Sequence, residues 1–326
     1  MQNNGKTLKK SELIEKFNSK MNEAPSEVEI KAYLSKITYS DLMMGYENTI
    51  IKEHDKFISN IDLDMLYQIY WLDITLSDLL LKYTLEIEKL LKAQLISVIS
   101  NFGDTPERYL DVRKYTNKGG TLRKINQYIL DDRDGLFGLF LNQHEITYIP
   151  SWFLIQHLTF GASINLFSIL KSPQKNQIVN SILSTAVGPL SNDEKKELVR
   201  SILAFALELR NKSAHGTKLL GINFVEDINT LNGMLSKLGI DKYLKKSSKG
   251  VIIANISNFV ILVLLFSNIP LFAANMVNEF SYFFKQNSTD ENNILTPINK
   301  TPYELFNVSK DDFYNIQKLF SILYVE

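Results

Sequence analysis

The chain has 326 residues, with 36 basic and 36 acidic side chains and a formal net charge of zero. Its composition, 45% hydrophobic and 22% charged, excludes a wholly disordered chain and supplies enough apolar side chains for a packed core. The absence of cysteine excludes a disulfide framework, thiolate metal sites and cysteine catalysis. Because the charges balance, any binding of nucleic acid must come from local basic patches.

The pattern along the chain predicts an all-α fold. The first ten residues, MQNNGKTLKK, lack the apolar core of a signal peptide, so we expect a cytoplasmic protein. Turn-forming residues are scarce, with 14 Gly and 8 Pro, which favours long helices. Apolar spacing predicts helices over residues 11–21, 26–36, 62–100, 151–170 with an interruption at Gly161, and 174–187. Hints of strand occur only near residues 218–225 and at the C-terminus, which leaves room for one small β-hairpin.

A further helix is predicted from its N-terminal signal. Ser191 and Glu194 stand three residues apart, as in a capping box, directly before an apolar stripe. The stripe runs from Leu198 to Leu209, and Gly216 supplies the stop signal. We therefore expect this helix to end near His215.

Residues 251–278 carry no charged side chain, and the segment is long enough to be a candidate membrane span. Polar residues interrupt the segment, and its longest apolar run, residues 259–266, is too short to cross a bilayer. Pro270 cannot continue a helix that precedes it. The segment therefore predicts a buried helix broken at Pro270 rather than a membrane span.

The chemistry-bearing residues with the most informative spacing are Arg210, Asn211 and His215, in the hexapeptide RNKSAH. A guanidinium forks onto phosphate oxygens, and an imidazole exchanges protons near neutral pH. These are the groups that cleavage of RNA by its own 2′-hydroxyl requires without a metal. Asn211 and His215 are four residues apart and share a helix face, whereas Arg210 must reach around it. The same residues also suit an ordinary helix end, where Arg210, Lys212 and His215 would face the negative end of the dipole.

Three features, taken in their order along the chain, resemble those of a known protein family. The RNKSAH motif at the end of an apolar helix resembles the R-x(4–6)-H signature of HEPN-domain ribonucleases. A long helix with an acidic-basic centre at residues 79–100 precedes it, as does a Pro150-Ser151-Trp152 segment running into Phe160-Gly161. Over residues 30–235 this order resembles the Abi-like family of abortive-infection proteins, the AbiD/AbiF group of bacterial phage-resistance factors.

The resemblance implies a HEPN-like helical bundle with additional N- and C-terminal helices. We expect an N-terminal helical region over residues 1–61, a HEPN-like core over 62–240, and a C-terminal helical region over 241–326 packed on that core. HEPN nucleases generally build one active site from two copies of the motif, which implies a homodimer for a chain with one copy. RNA is the implied substrate or ligand, and a regulatory RNA or a phage-derived trigger is a further candidate partner.

Two local basic patches are candidates for RNA contact. Residues 113–124 carry five cations and no acid, with Tyr115 available to stack on a base. Residues 242–249 carry four cations, and a solvated loop is favoured there. The candidate RNA-binding side chains are Arg113, Lys114, Lys118, Arg123, Lys124 and Lys212.

The apolar segment around His157 predicts packing rather than chemistry. A histidine between Gln156 and Leu158 is more often hydrogen-bonded in a core or interface than catalytic. Trp152, Phe153 and Phe160 have the period of a helix packed in the core, although aromatic rings there could also stack on bases.

The sequence leaves three functions open. The first is a metal-independent endoribonuclease of abortive infection in which His215 is general base or acid, Arg210 clamps phosphate and Asn211 orients the histidine or the substrate. The second is a non-catalytic RNA-binding regulator or sensor of phage defence that uses the same pocket. The third is a structural helical protein in which the motif only ends a helix. We expect no cofactor, no metal ligand set and no membrane association.

Overall fold

The computed structural model of the chain describes residues 9–21, 23–43, 46, 51–53, 56–57, 61–116, 119–132, 135–220 and 229–325. Within these ranges the protein is built from α-helices and one two-stranded antiparallel sheet, which confirms the all-α class. The helices are α1 (Lys10–Lys20), α2 (Glu27–Leu34), α3 (Tyr39–Met43), α4 (Leu63–Ile99), α5 (Pro106–Tyr109), α6 (Gly119–Asp131), α7 (Leu136–His144), α8 (Ser151–His157), α9 (Phe160–Ile169), α10 (Ser172–Ile182), α11 (Asn192–Ala214), α12 (Asn232–Lys237), α13 (Ile256–Leu264), α14 (Pro270–Gln286), α15 (Pro302–Leu305) and α16 (Lys310–Tyr324). The strands are β1 (Ile51–Glu53) and β2 (Lys56–Phe57), and short 3₁₀ turns lie at Ser100–Phe102, Val112–Lys114, Thr185–Val187, Asn229–Leu231, Asp241–Tyr243 and Thr296–Ile298.

The long helix α4 is the centre of the bundle, and α8, α9, α10, α11 and α14 all pack on it. Its first turn is capped by Asp62, whose carboxylate accepts a hydrogen bond of 2.7 Å from the backbone N–H of Met65. Its apolar stripe, which includes Leu66, Leu76 and Leu91, is buried along almost the whole length of the helix. Burying one stripe against several helices is what stabilises a helix of 37 residues.

Two predicted helices differ from the observed ones. The helix predicted over residues 151–170 breaks at Leu158–Thr159 and not at Gly161, because the Thr159 side chain accepts a hydrogen bond from the N–H of Ala162 and starts α9. The helix predicted over residues 174–187 begins earlier, as α10, and ends at Ile182. Thr185–Val187 then form a separate 3₁₀ turn.

The charge-free segment 251–278 contains a buried helix, as predicted, but that helix ends at Leu264 and not at Pro270. All nine residues of α13 are buried, and Pro270 occupies the first turn of the next helix, α14, where its missing N–H costs nothing. None of the described helices combines the length and the apolarity that crossing a bilayer requires.

The strands do not lie where the sequence hinted. The antiparallel pair is formed by β1 and β2, in the N-terminal part of the chain. The C-terminal hint is wrong: α16 occupies that stretch, because Ser309 and Asp312 form a capping box and apolar residues follow at helical spacing. In the other stretch with a hint of strand, residues 218–225, residues 218–220 do not form a strand, and residues 221–225 lie outside the described part of the chain.

Candidate functional site

The RNKSAH motif lies at the C-terminal end of α11. The predicted capping box at the start of this helix is confirmed: the Ser191 hydroxyl accepts from the N–H of Glu194, and the Glu194 carboxylate accepts from the N–H of Ser191 at 2.9 Å. The apolar stripe of α11 is buried against α4, so the helix is fixed along its length. A rigid helix therefore carries the motif to the surface at its far end.

Arg210 and Asn211 contact each other although neighbouring residues point in different directions on a helix. The Arg210 Nη1 donates a hydrogen bond of 3.3 Å to the Asn211 Oδ1. Arg210 is partly buried, and its Nε is buried without a hydrogen-bond partner among the described residues. A guanidinium has five N–H donors, so its two Nη groups keep donors for an anionic ligand besides the bond to Asn211.

His215 is the residue at which α11 stops. Its backbone N–H donates to the Asn211 carbonyl at 3.1 Å, so the helix is regular up to this point, and its side chain is exposed. Gly216 follows with a φ of +63°, a left-handed conformation that glycine adopts without strain. One helix end thus presents an imidazole and, one turn earlier, an amide that holds a guanidinium.

The segment after the motif is anchored by a residue that the sequence analysis did not single out. The Asp73 carboxylate, on α4, accepts hydrogen bonds from the backbone N–H of Leu219 at 3.0 Å and of Leu220 at 3.1 Å. The Lys218 Nζ donates to the Ser40 carbonyl at 3.0 Å and lies 3.9 Å from the centre of the Tyr46 ring. These contacts fix the chain only a few residues beyond His215.

Asp73 is 4% exposed, and burial raises its pKa from the ordinary 3.8 to about 6, against the opposing effect of the two N–H donors and the Lys218 charge. A sequence signal for it exists. Asp73 stands on the buried stripe of α4 between Ile69 and Leu76, where a single acid among apolar residues predicts a buried carboxylate with its own hydrogen-bond donors.

The raised pKa of Asp73 predicts a pH dependence of stability. The folded state holds this proton more tightly than the unfolded state, so the stabilising contribution is full below pH 4 and is lost as the pH rises through about 6. Relative to Asp73→Asn, the wild type should lose ~2 kcal/mol of unfolding free energy between pH 4 and pH 7. Urea unfolding of both proteins across this range measures the difference. Parallel pH curves would assign the carboxylate an ordinary pKa.

In the first basic patch, residues 113–124, some cationic side chains contact other groups of the chain and others are exposed. Arg113 pairs with Asp111 at 2.7 Å, and the Lys114 Nζ donates to the Phe102 carbonyl while lying 5.1 Å from the centre of that ring. Arg123 and Lys124 are exposed on α6. Lys118 lies outside the described residues. RNA contact by these side chains stays a prediction.

The prediction that Tyr115 stacks on a base is wrong. Tyr115 is 4% exposed, and its hydroxyl donates a hydrogen bond of 2.6 Å to the Tyr109 carbonyl. A ring buried in this way cannot receive a base. Lys212, on α11, forms an ion pair of 2.7 Å with Glu208, so it too is already engaged within the chain.

The second basic patch is also engaged in local contacts. Lys246 pairs with Asp241 at 3.3 Å, and Lys245 lies 3.6 Å from a carboxylate oxygen of Asp312. Lys242 lies 5.1 Å from the centre of the Tyr243 ring. Tyr243 and Leu244 are buried, so the first part of residues 242–249 packs on the fold, and the predicted solvated loop is observed only in part.

His157 is hydrogen-bonded, as predicted, but it is half-buried rather than in the core. Its Nδ1 lies 2.8 Å from the Phe153 carbonyl, and its ring centre lies 4.3 Å from that of Phe153. Phe153 and Phe160 are buried, as predicted, whereas Trp152 is 44% exposed. Within the described ranges, no three His, Asp or Glu side chains converge as metal ligands would.

The sequence model of the Abi-like protein family matches residues 32–220, more than half of the chain. The match contains Asp73, the whole of α11 and the RNKSAH motif, and it ends at Leu220, whose N–H bonds Asp73. No curated protein and no solved structure matches the chain. Because the family model covers more than half of the chain, the resemblance to the Abi-like family is confirmed, and the chain belongs to the Abi-like protein family.

Proposed function

We propose that this protein is a metal-independent endoribonuclease of phage abortive infection, with Arg210, Asn211 and His215 at its active site. Membership of the Abi-like family supports the abortive-infection role. The observation that carries the nuclease proposal is the guanidinium of Arg210, held by Asn211 on the same helix end as the exposed imidazole of His215. This combination supplies a phosphate clamp and a proton acceptor within the last two turns of α11.

The proposed reaction uses the substrate's own nucleophile. One His215 imidazole takes the proton from a ribose 2′-hydroxyl, and the oxygen attacks the adjacent phosphorus. The bond from phosphorus to the 5′-oxygen breaks, and that oxygen takes a proton from an acid on the opposite side. Arg210 neutralises the charge that develops on the non-bridging oxygens. The products are a 2′,3′-cyclic phosphate and a 5′-hydroxyl.

The reaction requires a base and an acid, whereas each chain has one His215. Pairing of two chains about a twofold axis would place both His215 side chains in one cleft and supply both proton-exchanging groups. The proposal therefore includes a homodimer whose cleft contains two copies of the Arg210 and His215 pair.

One observation favours a second function, a non-catalytic RNA-binding regulator of phage defence. A single chain presents one imidazole and one guanidinium at the same helix end, which is enough to bind a phosphate but is half of an acid–base pair. In that case the same helix end would hold RNA without cleaving it.

Turnover separates the two functions. With single-stranded RNA in large molar excess, the purified protein is expected to shorten every strand, because an enzyme is regenerated after each cleavage. Denaturing electrophoresis over time measures the number of cleavages per protein chain. A regulator would leave the RNA at full length while still shifting its mobility in a native gel, and that result would exclude the nuclease.

A further inference from the structure

A groove of about 740 Å³ lies between α6 and α9. A volume of this size is in the range of sites that hold small organic ligands. Ile125, Leu158 and Ala162 give the groove an apolar surface, and Thr121 and Asn165 add polar groups to its lining. A flat apolar ring with polar edges, such as a nucleobase, fits this combination of surfaces.

Two side chains of α6, Tyr128 and Lys124, give the groove groups that suit a nucleic-acid ligand. Tyr128, which is 42% exposed, lines the groove, and Phe137 packs edge-on against its ring at 5.8 Å between centres. The Tyr128 hydroxyl donates a 3.3 Å hydrogen bond to the His157 carbonyl, which helps to fix the ring. Lys124 is exposed one turn earlier on the same helix face. An accessible aromatic ring beside a cation is the arrangement that binds a base and its phosphate in single-stranded nucleic acid.

The groove has free space beside the backbone of α6 at Gly120. Gly120 lines the groove, and no atom lies within 4 Å of the position that its β-carbon would occupy. The Asn165 side chain is exposed at the wall formed by α9. A ligand can therefore approach α6 closely while an amide on the opposite wall reaches its polar edge.

The groove adjoins the helix that carries the candidate active site. Gly161 lines the groove, and a β-carbon built on it would lie 3.8 Å from a methyl group of Leu207 on α11. Leu207 and Asn211 are four residues apart, so they lie on the same face of α11 with ~6 Å of helix axis between them. A chain of nucleotides could thus extend from the groove along α11 toward Arg210.

We propose that this groove binds a nucleotide of single-stranded RNA next to the scissile phosphate, with its base against Tyr128 and its phosphate near Lys124. The inference rests on the proposed function, because it names the substrate as single-stranded and gives its neighbouring nucleotide a site. A duplex would keep its bases stacked on one another and would present no free face to Tyr128.

The test uses an oligonucleotide of 2′-O-methyl ribose, which lacks the attacking hydroxyl and so binds without being cleaved. Tyr128→Leu should weaken its binding at least ~5-fold, whereas Tyr128→Phe, which keeps the ring, should stay within ~2-fold of the wild type. Ala162→Leu should also weaken binding at least ~5-fold by filling the groove. Fluorescence anisotropy measures each dissociation constant, and circular dichroism checks that each variant is folded.

Salt dependence tests the place of the phosphate. Lys124→Ala should lower the log–log slope of affinity against salt by ~0.7, the value for one contact with a single strand. Lys318→Ala is the matched control, because Lys318 is also exposed on a helix but lies on α16, away from the groove. The same oligonucleotide paired with its complement should bind more weakly than the single strand.

The outcomes separate this inference from the proposed function. Wild-type affinity in both Tyr128→Leu and Ala162→Leu would overturn the groove as a nucleotide site, even if the wild type cleaves RNA. If one of these variants does not fold, the other and Lys124→Ala still decide the question. A wild type that neither binds the oligonucleotide nor cleaves RNA would overturn both the groove and the nuclease.

Discussion

Arg210→Ala and His215→Ala are each expected to reduce RNA cleavage by ~100-fold or more, and to abolish protection of infected cells. Loss of the imidazole removes the proton acceptor, and loss of the guanidinium leaves the charge on phosphorus without a partner. Folding should be retained, because His215 is exposed and Arg210 is only partly buried at the last turns of α11, where substitutions usually alter stability by ~1 kcal/mol or less. Cleavage rates with a labelled RNA, beside thermal unfolding curves, measure both effects.

The chain offers a matched control for each substitution. Arg200 is exposed on the same helix and pairs with Glu197 at 2.6 Å, and His144 is exposed at the last residue of α7. Arg200→Ala and His144→Ala should cleave RNA at the wild-type rate. If Arg210→Ala and His215→Ala are folded and as active as these two controls, the motif is only a helix end and the nuclease proposal fails.

Mixing wild type with excess His215→Ala is expected to suppress cleavage. If each active site takes one His215 from each of two chains, a ninefold excess of the variant leaves ~one tenth of the wild-type chains paired with each other. Activity per wild-type chain should then fall ~10-fold once subunits have exchanged. Sedimentation at micromolar concentration should give a mass near twice 37.4 kDa.

The control for subunit mixing is the same excess of His144→Ala. That variant keeps His215, so its mixed dimers remain complete and activity per wild-type chain should not fall. Two results would contradict the shared site: a monomer with full activity, or cleavage that is insensitive to the excess of His215→Ala. Either would require a single chain to supply the acid as well as the base.

The helices that carry the site are predictable from the sequence because each has a strong local signal. The apolar spacing of α4 and the capping box of α11 depend on neighbours within a few residues, and both helices were correctly placed. The burial of α13 was predictable from the apolar run of residues 259–266, whereas its end at Leu264 was not, because Pro270 begins the next helix instead of ending this one. The β1–β2 pair could not be placed, because two and three residues carry too little alternation to indicate a strand.

The contacts that shape the site depend on residues far apart in sequence. Asp73 reaches Leu219 and Leu220 across 146 and 147 positions, and no local pattern identifies such a partner. The basic, glycine-containing segment around Tyr115 predicts an exposed ring, but the fold buries this side chain. The contact of Arg210 with Asn211 was also missed, because helix geometry alone points these side chains apart.

The ends of the cleaved RNA test the central claim most directly. Wild-type protein is incubated with a single-stranded RNA in excess chelator, beside His215→Ala and beside the same strand with 2′-deoxyribose at each cleavage position. The account predicts that the wild type cleaves the all-ribose strand, leaves 2′,3′-cyclic phosphate and 5′-hydroxyl ends, and fails on the 2′-deoxy strand, while His215→Ala leaves both strands intact. Cleavage that stops in chelator and returns with Mg²⁺, or that proceeds equally on the 2′-deoxy strand, would contradict it.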